Sequence, residues 1–386
     1  MIYLGIDFGT TNSCIYIAQD DFKDPKPIAK NADGSPLIMP SVICEKKEDV
    51  STIRYYGNEA LENIDADEKF FSNLKLSLRD KANNGIFTSN NGWQYYYKGK
   101  PLAGPAYNKK ELTKDFIKQL LIKSGIKVKS GCIQWGGDKV NPLANTKIVM
   151  GCPVFNDKKQ QDAYCDFFKD TLKGLGFSEN SIEFVIEPCL AAYGLARSGD
   201  VIKEGDRILI FDCGGGTTDV SILEKGRNDS YAVIDCDGCN YAGVAIDKAL
   251  FRYLRKESGQ DYRMKFINNV FDGKTDINIK WLTSIRKLKE AACMAPNAIR
   301  NINKEIQYAK ELGISDCLEF EFAKFYESEF WEEVIQKILQ PLYKVIERAN
   351  PTSTRNEIKN IYLAGGSSAM PKIQETIELI LNEHKK

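Results

Sequence analysis

Short apolar runs alternate along this chain with stretches whose apolar residues recur every three or four positions, the pattern of an α/β protein. The runs predict strands at Ile2–Asp7, Ser13–Ala18, Lys147–Gly151, Phe184–Glu187, Arg207–Asp212, Asp219–Leu223, Tyr231–Cys236, Cys317–Phe322 and Asn360–Ala364. Helical spacing predicts helices at Lys110–Lys123, Lys158–Leu175, Pro188–Arg197, Ala245–Lys256, Lys280–Met294, Phe325–Ala349 and Pro371–Glu383. Residues 80–100 and Phe271–Asn278 are polar and turn-rich. They read as exposed insertions, because neither is long or low in complexity.

The chain resembles itself once. Ile2-Tyr-Leu-Gly-Ile-Asp7-Phe-Gly9-Thr10-Thr11-Asn12-Ser13 returns as Ile208-Leu-Ile-Phe-Asp212-Cys-Gly214-Gly215-Gly216-Thr217-Thr218-Asp219. Each is a buried strand ending in aspartate, a glycine–threonine turn and a second strand. Two copies half a chain apart predict a duplicated architecture of two like lobes. Their boundary is expected in the polar segment Gly199–Gly205.

Composition narrows the function. The 386 residues suffice for several domains, with 43% hydrophobic and 27% charged residues. Lys+Arg and Asp+Glu both number 53, so no general attraction to nucleic acid or anionic membrane is expected. Apolar runs such as Ile208–Phe211 fall far short of the ~20 residues that span a bilayer. The opening residues Met1–Asp7 lack a basic region and carry an aspartate in the first apolar stretch, so a signal peptide is not expected. Eleven cysteines without a framework suit a reducing, cytoplasmic compartment. Cys236-Asp-Gly-Cys239 has no second pair to complete a zinc site, and reads more simply as a strand end entering a turn. With His384 the only histidine, Ser-His-Asp, Cys-His and His-rich zinc arrangements drop out.

The chemistry that remains is that of carboxylates, lysines, hydroxyls and backbone amides. Glycine lets a ligand approach the backbone closely, and the amides of a tight turn after a strand converge on an anion. Threonine hydroxyls add donors, and an aspartate at the strand's carboxyl end can hold a hydrated cation. Two such turns could clamp a polyphosphate with Mg²⁺, whereas either alone could be an ordinary hairpin. No Gly-x-x-x-x-Gly-Lys-Ser/Thr is present, and no Gly-x-Gly-x-x-Gly follows a strand. Two weaker motifs remain. Gly365-Gly366-Ser367-Ser368-Ala369-Met370-Pro371 opens a helix and offers bare backbone to a ribose or purine. Glu187-Pro188-Cys-Leu-Ala191-Ala192 joins a strand to a small-residue helix, and reads as close packing when taken alone.

In this order and spacing the four motifs resemble the nucleotide-binding domain of the DnaK-type seventy-kilodalton heat-shock chaperones, members of the actin-like ATPase superfamily. Asn31-Ala-Asp-Gly-Ser, Pro40-Ser41-Val42, Gly151-Cys-Pro153-Val-Phe155-Asn156-Asp157 and Lys289-Glu-Ala-Ala292 extend the resemblance over essentially the whole chain. It implies an α/β, two-lobed actin-like ATPase fold. Duplicated ribonuclease H-like domains, with mixed sheets flanked by helices, would hold nucleotide in the interlobe cleft. Lobe I is expected over residues 1–200, with an inserted subdomain at about 41–139. Lobe II is expected over 201–386, with an insertion at about 241–314.

Carried over by position, Asp7 and Asp212 resemble the Mg²⁺-organising aspartates, and Asp219 a nearby cation-site carboxylate, with K⁺ as a second candidate ion. Gly9, Thr10, Thr11 and Asn12 match the first phosphate loop. Gly214, Gly215, Gly216 and Thr217 match the second, with Thr217 near the γ-phosphate. Gly243, Gly365, Gly366 and Ser367 match the nucleoside-side loops. Glu187 looks like the carboxylate that couples Mg²⁺ and water to the hinge. Lys75 looks like the lysine that positions the attacking water, although by spacing alone it reads as a surface lysine.

The resemblance implies slow Mg²⁺-assisted ATP hydrolysis, with ATP and ADP favouring different conformations. It implies a J-domain co-chaperone and a nucleotide-exchange factor as partners, with no role for nucleic acid or membrane. Three departures stand out. Cys293-Met294-Ala295-Pro296-Asn297 replaces the family's adenine-contacting Lys–Arg–Ser stretch, and a shifted register would bring Lys287 or Lys289 there. Ala369 stands where the family often has arginine, and Ala242-Gly243 where it has Gly-Gly. The sequence ends before the family's peptide-binding domain, which is therefore not expected in this chain. A filament-forming actin-like protein and a small-metabolite kinase are the rivals within the superfamily.

Overall fold

In the strand Ile2–Phe8, Ile2, Leu4, Ile6 and Phe8 are buried while Asp7 is exposed, so the period of two puts the carboxylate on the face opposite the core. This strand runs parallel to Thr146–Cys152 on one side and antiparallel to Asn12–Gln19 on the other. Ile182–Ile186 extends the sheet beyond Thr146–Cys152, and Lys26–Pro27 and Met39–Pro40 pair with Asn12–Gln19. The computed structural model describes residues 1–19, 25–31, 34–47, 51–63, 69–72, 74–75, 94–97, 100–101, 109–129, 131–135, 139–155, 158–196, 202–257, 279–294, 299–301, 319–349 and 358–384.

The chain divides into two units, Met1–Glu187 and Pro188–Lys386. In the first, helices Lys109–Lys123 and Lys158–Gly174 supply Phe116 and Phe168, whose rings meet Phe8 at 5.9 and 5.4 Å. Each such side chain contributes about 1.5–3 kcal/mol by leaving water, which anchors the strand end next to Asp7. A second sheet orders Thr52–Tyr56, Ile43–Lys47, Lys69–Ser72, Gln94–Tyr97 and Lys100–Pro101, and a third joins Lys127–Lys129, Cys132–Trp135 and Lys139–Pro142.

The second unit repeats the central arrangement. Arg207–Cys213 lies parallel to Ile358–Ala364 and antiparallel to Thr218–Lys225, which pairs in turn with Tyr231–Cys239. Ile208–Phe211 are buried on both faces, as a central strand covered on both sides requires. In helix Gly243–Glu257 the buried residues Ile246, Ala249, Leu250, Tyr253 and Leu254 recur at helical spacing. Helix Glu329–Ala349 packs in the same core through Val334, Ile338, Leu342 and Val345. It contains Pro341, which has no N–H to return to the Lys337 carbonyl four residues earlier. The thiol of Cys239 donates to that oxygen at 3.4 Å. Cys236 and Cys239 therefore close an edge strand, and Cys239 serves as a backbone donor.

Several expected boundaries move. Helix Phe325–Ala349 is two helices, Phe322–Tyr326 and Glu329–Ala349, because Ser328 accepts from the Trp331 N–H and starts a new one. The strand expected at Cys317–Phe322 is Glu319–Glu321, with Phe322 already helical. Glu187 opens helix Glu187–Ala196 instead of closing the preceding strand. Within the polar stretch at 80–100, Gln94–Tyr97 and Lys100 are strand. Phe271–Asn278, Pro296 and Asn297 lie outside the described residues. Among the described residues no helix is long and apolar enough to cross a membrane.

Candidate functional site

Each unit builds one aspartate–glycine turn, and the two match in ladder register. In the first, Asp7 lies opposite Cys14 and Phe8 opposite Ser13. In the second, Asp212 lies opposite Asp219 and Cys213 opposite Thr218. Gly9–Asn12 and Gly214–Thr217 connect the paired strands, and the self-similarity of the sequence becomes a shared backbone geometry.

The first turn is fastened from below by hydroxyls. The Gly9 N–H donates to Ser13 Oγ at 3.2 Å, the Ser41 hydroxyl donates to the Gly9 carbonyl at 2.8 Å, and the two hydroxyls are 2.8 Å apart. The Ser41 N–H donates to the Thr11 carbonyl at 2.7 Å. A Cβ on Gly9 would lie 2.1 Å from the Asn12 carbonyl oxygen, so the turn closes this tightly only with glycine there. Thr10 is buried, while Thr11 keeps partial exposure and Asn12 is exposed.

Near this turn, Lys75 Nζ donates to Glu187 Oε1 at 2.6 Å, with the lysine side chain 9% and the glutamate 26% exposed. Crowding by protein raises the pKa of the Asp7 carboxyl, Lys75 opposes that and Glu187 adds to it. Across the ladder from Asp7, burial pushes the Cys14 thiol up to about 12, with Asp7 adding. Cys14 is therefore a neutral thiol. Lys75 and Glu187 are 112 residues apart in sequence, and the fold brings them together with Asp7.

The second turn is knitted to two other loops. Gly243 N–H donates to the Gly214 carbonyl at 3.1 Å and Val244 N–H to that of Gly215 at 2.8 Å. The Ser367 hydroxyl also donates to the Gly214 carbonyl, at 2.8 Å. Cys213 N–H donates to Ser368 Oγ at 3.3 Å, and that hydroxyl donates on to the Ala364 carbonyl. Thr217 closes the turn by accepting the Gly214 N–H on its carbonyl at 3.0 Å. Gly216 lies between, buried. Gly365 has φ +80° and sits against the strand end that carries Asp212, whereas a Cβ on Gly366 would meet nothing within 4 Å.

Behind these loops is a buried ion pair. Lys289 Nζ is 2.8 Å from Asp247 Oδ1 and donates to the Gly243 carbonyl at 2.9 Å. These two contacts join helix Ile279–Met294 to the start of helix Gly243–Glu257. Lys287 is exposed on the same helix. The sequence placed Lys289, Ser13, Ser41 and Thr218 within motifs without saying what they hold, and singled out nothing at Asp247. Thr218 is fully buried and donates to the Tyr241 carbonyl at 2.7 Å. A hydroxyl at the start of the second strand in both copies was the available signal.

A family model described as Hsp70 protein matches residues 3–386. The chain belongs to the Hsp70 family. Its fold is accordingly that of the actin-like ATPases, and the repeated strand–turn–strand, with a parallel neighbour on the same side in each unit, is the duplication within it. Members of the Hsp70 family are ATPases that bind ATP and ADP with Mg²⁺. The Hsp70-family residues here suit such a ligand. Asp212 and Asp219 lie directly opposite each other on adjacent strands, which puts two carboxylates on one face of the sheet. Among the described residues no cluster of three or more His, Cys, Asp or Glu side chains is set to enclose a metal.

Proposed function

We propose that this Hsp70-type ATPase hydrolyses ATP slowly by water attack on the γ-phosphate and works as a nucleotide-controlled conformational switch. The Lys75–Glu187 contact carries the reading. A largely buried ammonium within hydrogen-bond distance of a carboxylate, near a second carboxylate on Asp7, can orient a water and offset developing negative charge.

In this proposal the loops Gly9–Asn12 and Gly214–Thr217 bind phosphate oxygens through the amides of Thr10, Thr11, Asn12, Gly215 and Gly216, while the Gly9 and Gly214 amides hold the turns closed, and the Thr10, Thr11 and Thr217 hydroxyls add donors. Gly243, Gly365, Gly366 and Ser367 take the nucleoside side. Asp7, Glu187, Asp212 and Asp219 would hold Mg²⁺ largely through water, with K⁺ as a second ion. Mg²⁺, when bound, neutralises polyphosphate charge. Catalysis then consists of positioning and electrostatic stabilisation, and without a strong general base turnover is slow. A J-domain co-chaperone, an exchange factor and a cytoplasmic setting belong to the same proposal.

Isothermal titration of ATP and ADP with Mg²⁺, paired with single-turnover hydrolysis, tests it on wild type and Lys75→Ala. The variant should bind within about threefold of wild type yet lose about 10²–10³ in hydrolysis rate, the range for losing one preorganised donor. Undiminished turnover would refute the role given to Lys75.

A further inference from the structure

Two cysteines that take no part in the nucleotide chemistry lie in contact inside the first unit. Cys152 ends the strand Thr146–Cys152 and is 1% exposed. Cys165 sits on helix Lys158–Gly174 and is partly open to solvent. Their sulfurs are 3.8 Å apart, with the Cys165 thiol directed at Cys152 Sγ. A disulfide needs about 2.05 Å, so the bond requires closure by under about 2 Å and release of the Pro153 carbonyl, to which the Cys152 thiol donates at 3.4 Å. From this we infer that Cys152 and Cys165 form a redox-responsive pair, closing a reversible intramolecular disulfide when the chain meets a peroxide.

The roles within the pair follow from access and surroundings. Cys165 is the sulfur that an oxidant reaches. Its thiol pKa is lowered by the hydrogen bond with Cys152 and, to a smaller extent, by Lys169, against burial and against Asp162 and Asp166 on the same helix. Its thiolate attacks one oxygen of hydrogen peroxide, and the O–O bond breaks. The departing hydroxide takes a proton to become water, leaving a sulfenic acid on Cys165. Cys152, sheltered from solvent, is the resolving sulfur. It attacks the sulfenic sulfur, the S–S bond forms, the S–O bond breaks, and the leaving hydroxide takes the Cys152 proton as a second water. Two thiols and one peroxide give one disulfide and two waters. The sulfurs lose two electrons, the peroxide oxygens gain them, and an added dithiol reverses the change.

The surroundings suit a reversible bond. Tyr164 and Phe168 pack beside Cys165, with ring centroids 4.8 Å apart, and hold this part of the helix in place. Cys152 lies opposite Ile186 in the parallel ladder, one residue before Glu187. The closed bond would tie the helix to the strand end nearest that glutamate.

The test uses the full chain with intact side chains. It is treated with one equivalent of hydrogen peroxide, quenched by alkylation under denaturing conditions and mapped by peptide mass spectrometry without reductant. The expected product is a peptide pair joining Cys152 to Cys165 with two hydrogens lost, which dithiothreitol restores to two alkylatable thiols. Cys152→Ser should stop at a sulfenic acid on Cys165 that dimedone captures, and Cys165→Ser should leave Cys152 unoxidised. If both cysteines in the wild type remain fully alkylatable while other thiols react, the pairing is wrong. It is equally wrong if Cys165 runs to sulfinic acid with Cys152 still a free thiol. These readouts are chemical, so they stand or fall separately from any measurement of ATP turnover.

Discussion

Replacing Gly365 with alanine tests how closely the last loop of the second unit is fitted to the strand that carries Asp212. Gly365 has φ +80°, a conformation that costs a residue with a side chain about 1–3 kcal/mol. Its Cβ would also lie 2.4 Å from Asp212 Oδ1, 2.4 Å from the Cys213 carbonyl oxygen and 2.5 Å from the Cys213 carbonyl carbon. Two of these neighbours are backbone in a central strand and cannot swing away, so overpacking adds about 1–3 kcal/mol. The sum is about 2–6 kcal/mol. The adjacent Gly366 is the internal control, since its Cβ would meet nothing within 4 Å. Gly366→Ala should change stability by no more than about 0.5 kcal/mol. With two units in the chain, one melting point could mix their unfolding. Hydrogen exchange of the Arg207–Cys213 amides in urea therefore reports the second unit directly. Equal effects of the two substitutions, or a Gly365→Ala loss below about 1 kcal/mol, would refute this account of the loop.

Three further outcomes follow from the same geometry. Lys289→Met leaves the buried Asp247 carboxylate with only the more distant Arg286, 3.8 Å from its other oxygen, and should cost up to about 3–5 kcal/mol. Adding Asp247→Leu should recover much of that loss, and a double-mutant cycle in urea with no coupling would argue against the pair. For Asp7 the folded pKa is raised, so its contribution to stability is present at acid pH and is lost as pH rises through that value. Asp7→Asn should therefore raise the thermal midpoint at neutral pH, flatten its dependence on acid, and abolish Mg²⁺-dependent nucleotide binding; a lowered neutral midpoint contradicts the sign. Cys239→Ala leaves the Lys337 carbonyl beside Pro341 without its thiol donor and should cost about 1–2 kcal/mol, with Cys239→Ser closer to wild type by chemical denaturation.

Much of the architecture was legible in the order of residues. The alternation Ile2, Leu4, Ile6, Phe8 and the unbroken run Ile208–Phe211 are local consequences of a period of two and of burial on both faces. The sheet formed by Ile43–Lys47, Thr52–Tyr56, Lys69–Ser72 and Gln94–Tyr97 was not legible. Its strands mix lysines, tyrosines and glutamate without clean alternation, so no period of two marks them in sequence. The division of the long helix at Ser328 hung on one hydroxyl, which either caps a helix or points to solvent with equal ease in sequence.

By itself, the sequence determined that two aspartate–glycine turns exist and that each follows a buried strand, because strand burial and glycine's freedom of φ are properties of neighbouring residues. Tertiary structure alone decided what surrounds those turns. Lys75 is one of many lysines until the chain places it 2.6 Å from Glu187, and Lys289 is one residue of a helix until Asp247 and the Gly243 carbonyl close on its ammonium. A charge acquires a buried partner only when distant segments exclude water around both, and that exclusion is a property of packing, which no local stretch of sequence contains.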